Sequence, residues 1–419
     1  MSYINKSKRA KKPKKSSRGP LDKIHILDLT RLYPGPLGTM MLADMGAEVI
    51  KIEDINNPDY MRYYPPYLCS ESAGFLAVNR SKRSFAVNLG TKKGVKLFFS
   101  LVKTADIVVE QFRPGVIDKM GIGYKNTRKI KKDIIYVSLT GYGQNGPYAM
   151  QAGHDINYIG YSGILSSTGK KETGPVIPGA QIADVAGGAY MTIIACLSAL
   201  WAKEKTGRGQ QVDVSMLDAI LPLMTLQMAH YQATAILPEP GQAALSGGLV
   251  CYGTYRCADG KYIALGILEE KFWKNFCKML DKSEWQNKQF VLGEEEDKLR
   301  QEIASLFLTK NREEWVAFSR SHDVCLTPVL GMDELEKDLH LRARDMIIEQ
   351  KHPVCGKMKG FGVPLKFSGT PATPGMPAPS LGNDTQAILK ELGYSKSDIK
   401  NLQEEGVILL PAKSKKSKF

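Results

Sequence analysis

The chain has 419 residues, of which 43% are hydrophobic and 24% are charged. These fractions exclude a disordered chain, a collagen-like repeat and a disulfide-stapled miniprotein. The length predicts two or three domains, which can bury large cores without a structural metal. The net charge of +14 would suit a polyanionic partner if it were spread over the folded body.

The positive charge is instead concentrated at the two ends of the chain. Residues 1–20 contain eight basic side chains and no acid, and residues 413–419 contain four lysines. The rest of the chain has 45 basic and 43 acidic residues, so the body is nearly neutral. We expect both ends to be disordered basic tails. We favour a role in solubility over polyanion binding, and we expect no nucleic-acid partner.

Short apolar strands alternate with helices through residues 21–218. This alternation is typical of βαβ units, and it predicts a large α/β domain with a Rossmann-like parallel sheet. The predicted helices include 39–45 and the amphipathic segment 92–103. The predicted strands cover residues 24–29, 47–53, 83–89, 106–110, 133–139 and 211–216.

The pattern changes after residue 218. Residues 219–345 predict a smaller α+β domain, with an apolar helix at 219–237 and a hairpin at 252–265. Residues 346–412 are rich in proline and glycine and are predicted to return along the large domain. Further helices are predicted at residues 270–281, 295–309, 312–320, 384–392 and 397–405.

Several features bear on the compartment. The seven cysteines are scattered without a CxxC pair, which favours reduced thiols in a cytosol over a disulfide framework or a zinc site. The N-terminus has no apolar signal segment, and the C-terminal Ser417-Lys418-Phe419 lacks the final leucine of a peroxisomal address. Uncharged stretches at 185–202 and 219–238 approach the length of a membrane span, but we interpret them as buried core helices. The sequence therefore predicts a cytoplasmic protein with no membrane contact and no bound metal.

Basic and hydrogen-bonding residues follow the carboxyl ends of the predicted strands. Examples are Thr30-Arg31, Glu53-Asp54 and the turn Thr140-Gly141-Tyr142-Gly143. Because functional residues of a parallel sheet lie just past these ends, the pattern predicts a phosphorylated ligand. Solvated loop charges would explain the same residues equally well.

Three side chains are candidates for acid–base chemistry. His154 follows a loop rich in glycine and proline, Asp184 begins an otherwise uncharged helix, and Glu269 follows the predicted hairpin of the second domain. Each also has a plain structural explanation. His154 could be a structural histidine, Asp184 a helix cap and Glu269 a surface carboxylate.

Ordered sequence blocks between residues 22 and 400 resemble the type III coenzyme A transferases (the CaiB/BaiF family), and within them the α-methylacyl-CoA racemases. The resemblance implies an interlocked homodimer, an acyl-CoA substrate and no resident cofactor. The blocks are Leu27–Thr30, Pro34–Pro36, Leu42–Glu53, Asn79–Ser84, Glu110–Val116, Ser138–Gln144 and Gly207–Val214.

The choice of branch depends on the three acid–base candidates. In the racemases a Gly-His-Asp-Ile-Asn-Tyr segment carries a catalytic histidine, which Gly153–Tyr158 matches. A later aspartate carries the second base, and Asp184 lies thirty positions after His154. Glu269 matches a glutamate that supports the histidine. The resemblance thus favours an acyl-CoA racemase; the alternative is a type III CoA transferase with Asp184 as the nucleophile.

The chemistry agrees with this branch. Inverting a 2-methylacyl thioester requires one group to remove the α-proton and a second group to deliver a proton to the opposite face. A histidine and a partly buried carboxylate both titrate near neutral pH. The enolate formed between the two transfers needs hydrogen-bond donors, and the backbone N–H near Val185 is a candidate. The sequence does not select among branched fatty, bile-acid-like and aryl-propionyl groups.

The resemblance also implies a set of residues that bind CoA. Asp54 departs from the family pattern, in which some members carry a cation after the acidic residue of that strand. The tyrosine- and proline-rich insert 56–70 is interpreted as a surface loop rather than part of an acyl pocket. The implied CoA-binding residues are Ile50, Lys51, Ile52, Arg80, Lys82, Arg83, Glu110, Arg113, Tyr142 and Gly143.

Overall fold

The computed structural model describes residues 19–237 and 239–411. The prediction of disordered basic tails therefore lies outside the described residues, apart from residues 19 and 20. The chain divides into two compact units. Unit 1 is made of the described parts of Met1–Met150, Gly188–Ser215 and Asp345–Phe419, and unit 2 is made of Gln151–Gly187 and Met216–Arg344. Unit 2 thus includes residues 151–187, which the sequence analysis assigned to the large domain.

The part of the chain that the structure describes contains eleven strands of three or more residues. They are β1 (His25–Leu29), β2 (Glu48–Asp54), β3 (Lys82–Val87), β4 (Ile107–Glu110), β5 (Ile135–Thr140), β6 (Gln211–Ser215), β7 (Tyr252–Arg256), β8 (Tyr262–Gly266), β9 (Leu326–Pro328), β10 (Ile347–His352) and β11 (Gly356–Phe361).

The helices are numbered in the same way. They are α1 (Pro34–Asp44), α2 (Ala73–Val78), α3 (Lys92–Val102), α4 (Val116–Lys119), α5 (Tyr124–Ile130), α6 (Asp155–Tyr161), α7 (Ile164–Ser167), α8 (Met191–Thr206, preceded by the π-helical segment Ala183–Tyr190), α9 (Met216–Ile220), α10 (Thr225–Thr234), α11 (Glu270–Met279), α12 (Glu294–Phe307), α13 (Arg312–Ser319), α14 (Met332–Leu335), α15 (Leu339–Ala343), α16 (Thr385–Glu391) and α17 (Lys396–Glu404).

Unit 1 contains a six-stranded sheet in the order β6-β5-β4-β1-β2-β3, and every neighbouring pair is parallel. The predicted Rossmann-like fold is therefore confirmed. The strand order reverses between β1 and β4, so the chain leaves these two strands toward opposite sides. The loops after their carboxyl ends leave a crevice, which is where ligands bind in sheets of this kind.

Helix α3 shows how the sequence specifies a covering helix. Thr91 caps it, accepting a hydrogen bond from the Gly94 N–H at 3.0 Å. Leu97, Phe98 and Leu101 recur at helical spacing and are buried against the sheet.

The C-terminal segment completes the same core. The Thr385 hydroxyl accepts a hydrogen bond from the Ala86 N–H of β3 at 3.0 Å, and Ile408 forms a bridge with Val87. Ile388 of α16 and Leu402 of α17 join the buried cluster that covers this face of the sheet.

Unit 2 contains the antiparallel sheet β7-β8-β9 packed on helices α11 to α13. Three tryptophans fill its core, and each indole N–H finds an acceptor. Trp273 donates to the Trp285 carbonyl and Trp315 to the Phe307 carbonyl, both at 2.9 Å. Trp285 donates to the Glu302 carboxylate, also at 2.9 Å. These bonds allow large aromatic side chains to be buried without leaving a polar group unpaired.

The apolar stretch after residue 218 differs from its prediction as a buried core helix. None of the residues of α10 is buried, and Leu226 and Met228 are among the exposed hydrophobic side chains. Among the described residues, Ala183–Thr206 is the one helical stretch long and apolar enough, by length and composition, to cross a membrane. Composition alone cannot say which apolar faces the fold covers, because burial depends on partners distant in the sequence.

The cysteines give a second correction. Cys69 and Cys355 form a disulfide within unit 1, with Cα atoms 5.5 Å apart. The prediction of reduced thiols holds for Cys196, Cys251, Cys257, Cys277 and Cys325, which are free. The two bonded residues are 286 positions apart, so no local spacing motif could reveal the pair.

A buried ion pair joins two strands of the large sheet. The Lys82 ammonium of β3 lies 2.9 Å from the Asp28 carboxylate of β1, and both side chains are fully buried. Thr30 and Thr39 donate hydrogen bonds to the same carboxylate at 2.6 and 2.7 Å. Burial alone would raise the pKa of Asp28, but the charges of Lys82 and Lys51 hold it well below its usual range.

We expect Lys82→Met to lower the free energy of unfolding by about 3–5 kcal/mol, because it leaves the Asp28 charge buried without its partner. The double variant Asp28→Asn with Lys82→Met should recover most of this loss. Urea denaturation measures both, and Lys96→Met, at an exposed lysine, is the control. Equal losses in the single and double variants would contradict this account.

Candidate active site

The candidate acid–base residues of unit 2 are held together at the starts of two helical segments. Asp155 is the first residue of α6, and Asp184 is the second residue of the π-helical segment. The Asp184 backbone N–H donates a hydrogen bond to the Asp155 carboxylate at 3.0 Å. This bond satisfies an N–H at a helix start, which has no acceptor within its own helix.

His154 stands immediately before Asp155 as the N-cap residue of α6. Its backbone N–H donates to the Asn157 side chain at 3.0 Å, and the Tyr158 hydroxyl donates to the Gly153 carbonyl at 2.6 Å. These bonds fix the backbone on both sides of the histidine. The imidazole is exposed and therefore accessible to a ligand.

The Asp184 carboxyl has an altered proton affinity. Burial raises its pKa to about 6, and the nearby charge of Asp155 adds to the increase. The side chain is nevertheless half-buried rather than enclosed. A carboxyl of this kind is present in both protonation states close to neutral pH, as a reversible proton carrier requires.

Val185 and Glu269 were also expected to contribute to this site. The Val185 N–H was a candidate donor to an enolate, but it donates to the Gln181 carbonyl at 3.1 Å. Glu269 occupies the N-cap position of α11, makes no side-chain capping hydrogen bond there, and is exposed. In the part of the chain that the structure describes, no hydrogen bond or ion pair joins Glu269 to His154 or Asp184. Its support of the histidine therefore stays a prediction.

Most cations expected to bind CoA are already paired inside unit 1. Lys51 is fully buried, with its ammonium 2.9 Å from Asp59 and 2.9 Å from the Thr30 carbonyl. Arg80 forms an ion pair with Asp44 at 2.7 Å. Burial lowers the pKa of Lys82 to about 8, although the Asp28 charge opposes this shift. These cations act first as internal counter-ions, which sequence alone could not distinguish from ligand-facing charges.

Arg83 is paired as well, because its guanidinium contacts Glu48 and Glu391. Arg113 differs from these cations. It is exposed beyond β4, and none of the described residues forms an ion pair with it. Of the cations that the resemblance implied, Arg113 is the one that offers an unpaired charge to a phosphate.

The remaining residues of the predicted set occupy the sheet and its carboxyl edge. Ile50 and Ile52 are buried core residues of β2. Burial raises the pKa of Glu110, at the end of β4, to about 7, although the Ser138 hydroxyl and Phe112 N–H bond to it. Tyr142 and Gly143 follow β5. Gly143 has φ +84°, a left-handed conformation that glycine adopts without steric cost.

The structure adds a pocket of about 800 Å³ at the carboxyl edge of the sheet in unit 1. Its lining includes Arg31 after β1, Asp54 at the end of β2 and Phe112 after β4. The Arg31 guanidinium lies 5.0 Å from the centroid of the Phe112 ring and donates to the Asn57 carbonyl at 2.8 Å. Lys92 also lines the pocket. Arg31 was not in the predicted set, although its place directly after a strand was a usable signal.

Unpaired polar atoms collect near the same edge. Gln111 Oε1, Thr140 Oγ1 and Gln144 Nε2 are buried and have no hydrogen-bond partner among the described residues. Buried polar groups in folded proteins are nearly always paired. These three atoms are therefore exceptions among the buried polar groups at this edge.

The fold and these features define an α/β protein with a nucleotide-sized pocket in unit 1 and two candidate acid–base residues in unit 2. The model of CoA-transferase family III matches residues 21–385. The chain therefore belongs to CoA-transferase family III, and it is an enzyme of this transferase and racemase class.

Two relatives carry different activities. Human succinyl-CoA:glutarate CoA-transferase is 34% identical, covering 93% of this chain and 90% of the relative. Mouse α-methylacyl-CoA racemase is 32% identical, covering 92% of this chain and 96% of the relative. Among solved structures, a CaiB/BaiF family protein from Brucella suis matches with a TM-score of 0.78 and 28% identity, covering 90% of this chain and all of the other.

Asp155→Asn tests the electrostatic origin of the Asp184 pKa. The amide oxygen can still accept from the Asp184 N–H, but the negative charge is gone. We expect the pKa of Asp184 to fall below about 6. The carboxyl would then lose its proton at a lower pH than in the wild-type protein. Carboxyl resonances of ¹³C-labelled aspartate, assigned with Asp184→Asn, report the midpoint. Asp333→Asn, at an exposed site of the same unit, is the control, and an unchanged midpoint in Asp155→Asn would contradict the expectation.

Proposed function

We propose that the protein is an acyl-CoA racemase that interconverts the two configurations of 2-methylacyl-CoA thioesters. The hydrogen bond between Asp184 and Asp155 is the observation that carries the proposal. Because His154 is bonded directly to Asp155, this contact ties the backbone of one proton carrier to that of the other. A two-base racemase requires such a fixed pair.

His154 and Asp184 have complementary roles in the proposed reaction. In one direction His154 removes the α-proton and Asp184 delivers a proton to the opposite face, and in the other direction they exchange roles. Each transfer leaves the carrier in the state needed for the reverse reaction. The Asp184 carboxyl, with its pKa of about 6, supports reversible transfer near neutral pH, and the exposed imidazole of His154 is accessible to the substrate.

Unit 1 supplies the features expected of a CoA site. The pocket of about 800 Å³ lies at the strand-order reversal, where α/β sheets bind nucleotides. Arg31 and Lys92 bring positive charge to its lining. The unpaired Gln111, Thr140 and Gln144 atoms suit the amides and hydroxyl of the pantetheine arm. We propose that these residues bind CoA as part of the substrate, with no separate cofactor.

The activity is tested with one enantiomer of a 2-methylacyl-CoA in heavy water, without an acceptor acid. We expect the α-proton NMR signal and the optical purity to be lost together. His154→Ala and Asp184→Asn should each slow exchange about 10²–10⁴-fold, and each should affect one enantiomer more than the other. His340→Ala replaces an exposed histidine of the same unit and should leave exchange unchanged.

A CoA transferase is the second candidate, favoured by the similar identity of the human transferase. In that reaction the half-buried Asp184 carboxylate attacks the donor thioester, and CoA leaves. CoA then attacks the resulting anhydride, forming an aspartyl-CoA thioester and releasing the donor acid. A static α-proton, followed by a new thioester once a carboxylic acid is added, would select this candidate over the racemase.

Arg31→Ala tests the proposed CoA pocket. We expect the KM for the CoA thioester to rise about tenfold with little change in kcat, because the charge contacts a part of the substrate that does not react. Arg128→Ala removes an exposed arginine of α5 in the same unit and should leave KM unchanged. A fall in kcat alone would show that Arg31 does not act through CoA binding.

The interlocked homodimer and the cytoplasmic compartment stay predictions. Sedimentation analysis of the full chain measures the first, and fractionation of the producing cell measures the second.

A further inference from the structure

A second pocket lies entirely within unit 2 and has a volume of about 300 Å³. Its apolar lining includes Ile164 of α7, Ile182 before the π-helical segment, and Leu223 and Met224 before α10. The volume is about that of ten water molecules in the liquid. Such a pocket can hold a short hydrocarbon segment but not a nucleotide.

The pocket is close in the chain to both proton carriers. Ile182 precedes Asp184 by two residues, and α7 follows α6, which His154 caps. The same short segments therefore form the pocket and position the acid–base pair. This proximity points to the acyl group, whose α-carbon must lie between the two carriers if the proposed function holds.

One polar atom of the lining is exceptional. The Ser167, Thr168 and Ser246 hydroxyls each donate to a backbone carbonyl of their own segment. The Gln227 side chain is half-buried, but its Oε1 atom is shielded from solvent and has no hydrogen-bond partner among the described residues. An unpaired buried acceptor is costly unless a ligand supplies the donor.

We propose that this pocket receives the distal part of the acyl chain and that Gln227 selects chains carrying a neutral hydrogen-bond donor there, such as a hydroxyl group. The inference rests on the proposed function, because it treats the acyl thioester as the substrate. Gln227 is then a specificity-determining residue that never contacts the reacting carbon. The substrate class is a 2-methylacyl-CoA with a hydroxyl on its far segment.

The same lining disfavours a dicarboxylic acyl group. None of the lining residues is a lysine, arginine or histidine, so a distal carboxylate would be buried without a counter-charge. A carboxylate also accepts hydrogen bonds and cannot donate to Gln227 Oε1. Succinyl-like and glutaryl-like chains are therefore expected to bind poorly here.

Calorimetry with unreactive thioether analogues of 2-methylacyl-CoA tests the inference directly. Three analogues of equal length end in a hydroxyl, a methyl or a carboxylate group. We expect the wild-type protein to bind the hydroxyl analogue about tenfold more tightly than the methyl analogue, and the carboxylate analogue most weakly. In Gln227→Met, which keeps a similar shape, the methyl analogue should bind best.

Ser246→Ala is the matched control, because that hydroxyl is already bonded to the Ala243 carbonyl, and it should leave the order unchanged. An order that is the same in wild type and Gln227→Met would overturn the inference. A change in the sedimenting mass of Gln227→Met, with no change in its affinity for the analogues, would also overturn the inference. A second copy of the chain would then occupy the pocket.

Proton exchange in heavy water separates this inference from the proposed function. If the α-proton exchanges but the three analogues bind equally well, the proposed racemase activity is supported and the proposed role of Gln227 is wrong. Distal selectivity without exchange would support the pocket and overturn the racemase. A short 2-methylpropanoyl thioester, which does not reach the pocket, should exchange equally fast in wild type and Gln227→Met.

Discussion

The buried pair of Asp28 and Lys82 is the interaction on which the large sheet depends. It joins β1 to β3 across the intervening β2, and Lys51 of β2 adds a second buried cation beside it. Charges enclosed in this way are tolerated only when each is paired and hydrogen-bonded. Asp28 also receives hydrogen bonds from Thr30 and Thr39, so the pair fixes the loop after β1 and helix α1. That loop carries Arg31 and borders the proposed CoA pocket.

In unit 2 a carboxylate again interacts with a neighbouring polar group, and here the interaction bears on chemistry rather than on stability. Asp155 uses one carboxylate oxygen to hold the Asp184 backbone, and its charge contributes to the raised pKa of the Asp184 carboxyl. A single side chain thus positions Asp184, one proposed proton carrier, and raises its pKa, while its chain neighbour His154 is the other proposed carrier.

Much of the fold could be predicted from the sequence because its signals are local. Strands such as 106–110 are short apolar runs between helices, and Thr91 marks the start of α3 by capping chemistry. The signals failed where the partner is remote. The burial of Lys82 depends on Asp28 of another strand, and the Cys69–Cys355 bond spans 286 residues. The exposure of α10 depends on what the fold does not cover. Gln227 carried no sequence signal, because an unpaired oxygen is visible only once its neighbours are placed.

The sequence by itself determined the βαβ order of the large domain, the family and the identity of His154 and Asp184 as candidates, because periodicity and motif spacing are properties of neighbouring residues. Only the tertiary structure decided which cations are counter-ions, that Asp155 binds the Asp184 backbone, and where the pockets lie. These properties depend on distances between atoms far apart in the chain, and on the removal of water around them, which sets both hydrogen bonding and pKa. The sequence shows which residues carry a charge, whereas the packing of the folded chain determines which of those charges a ligand can reach.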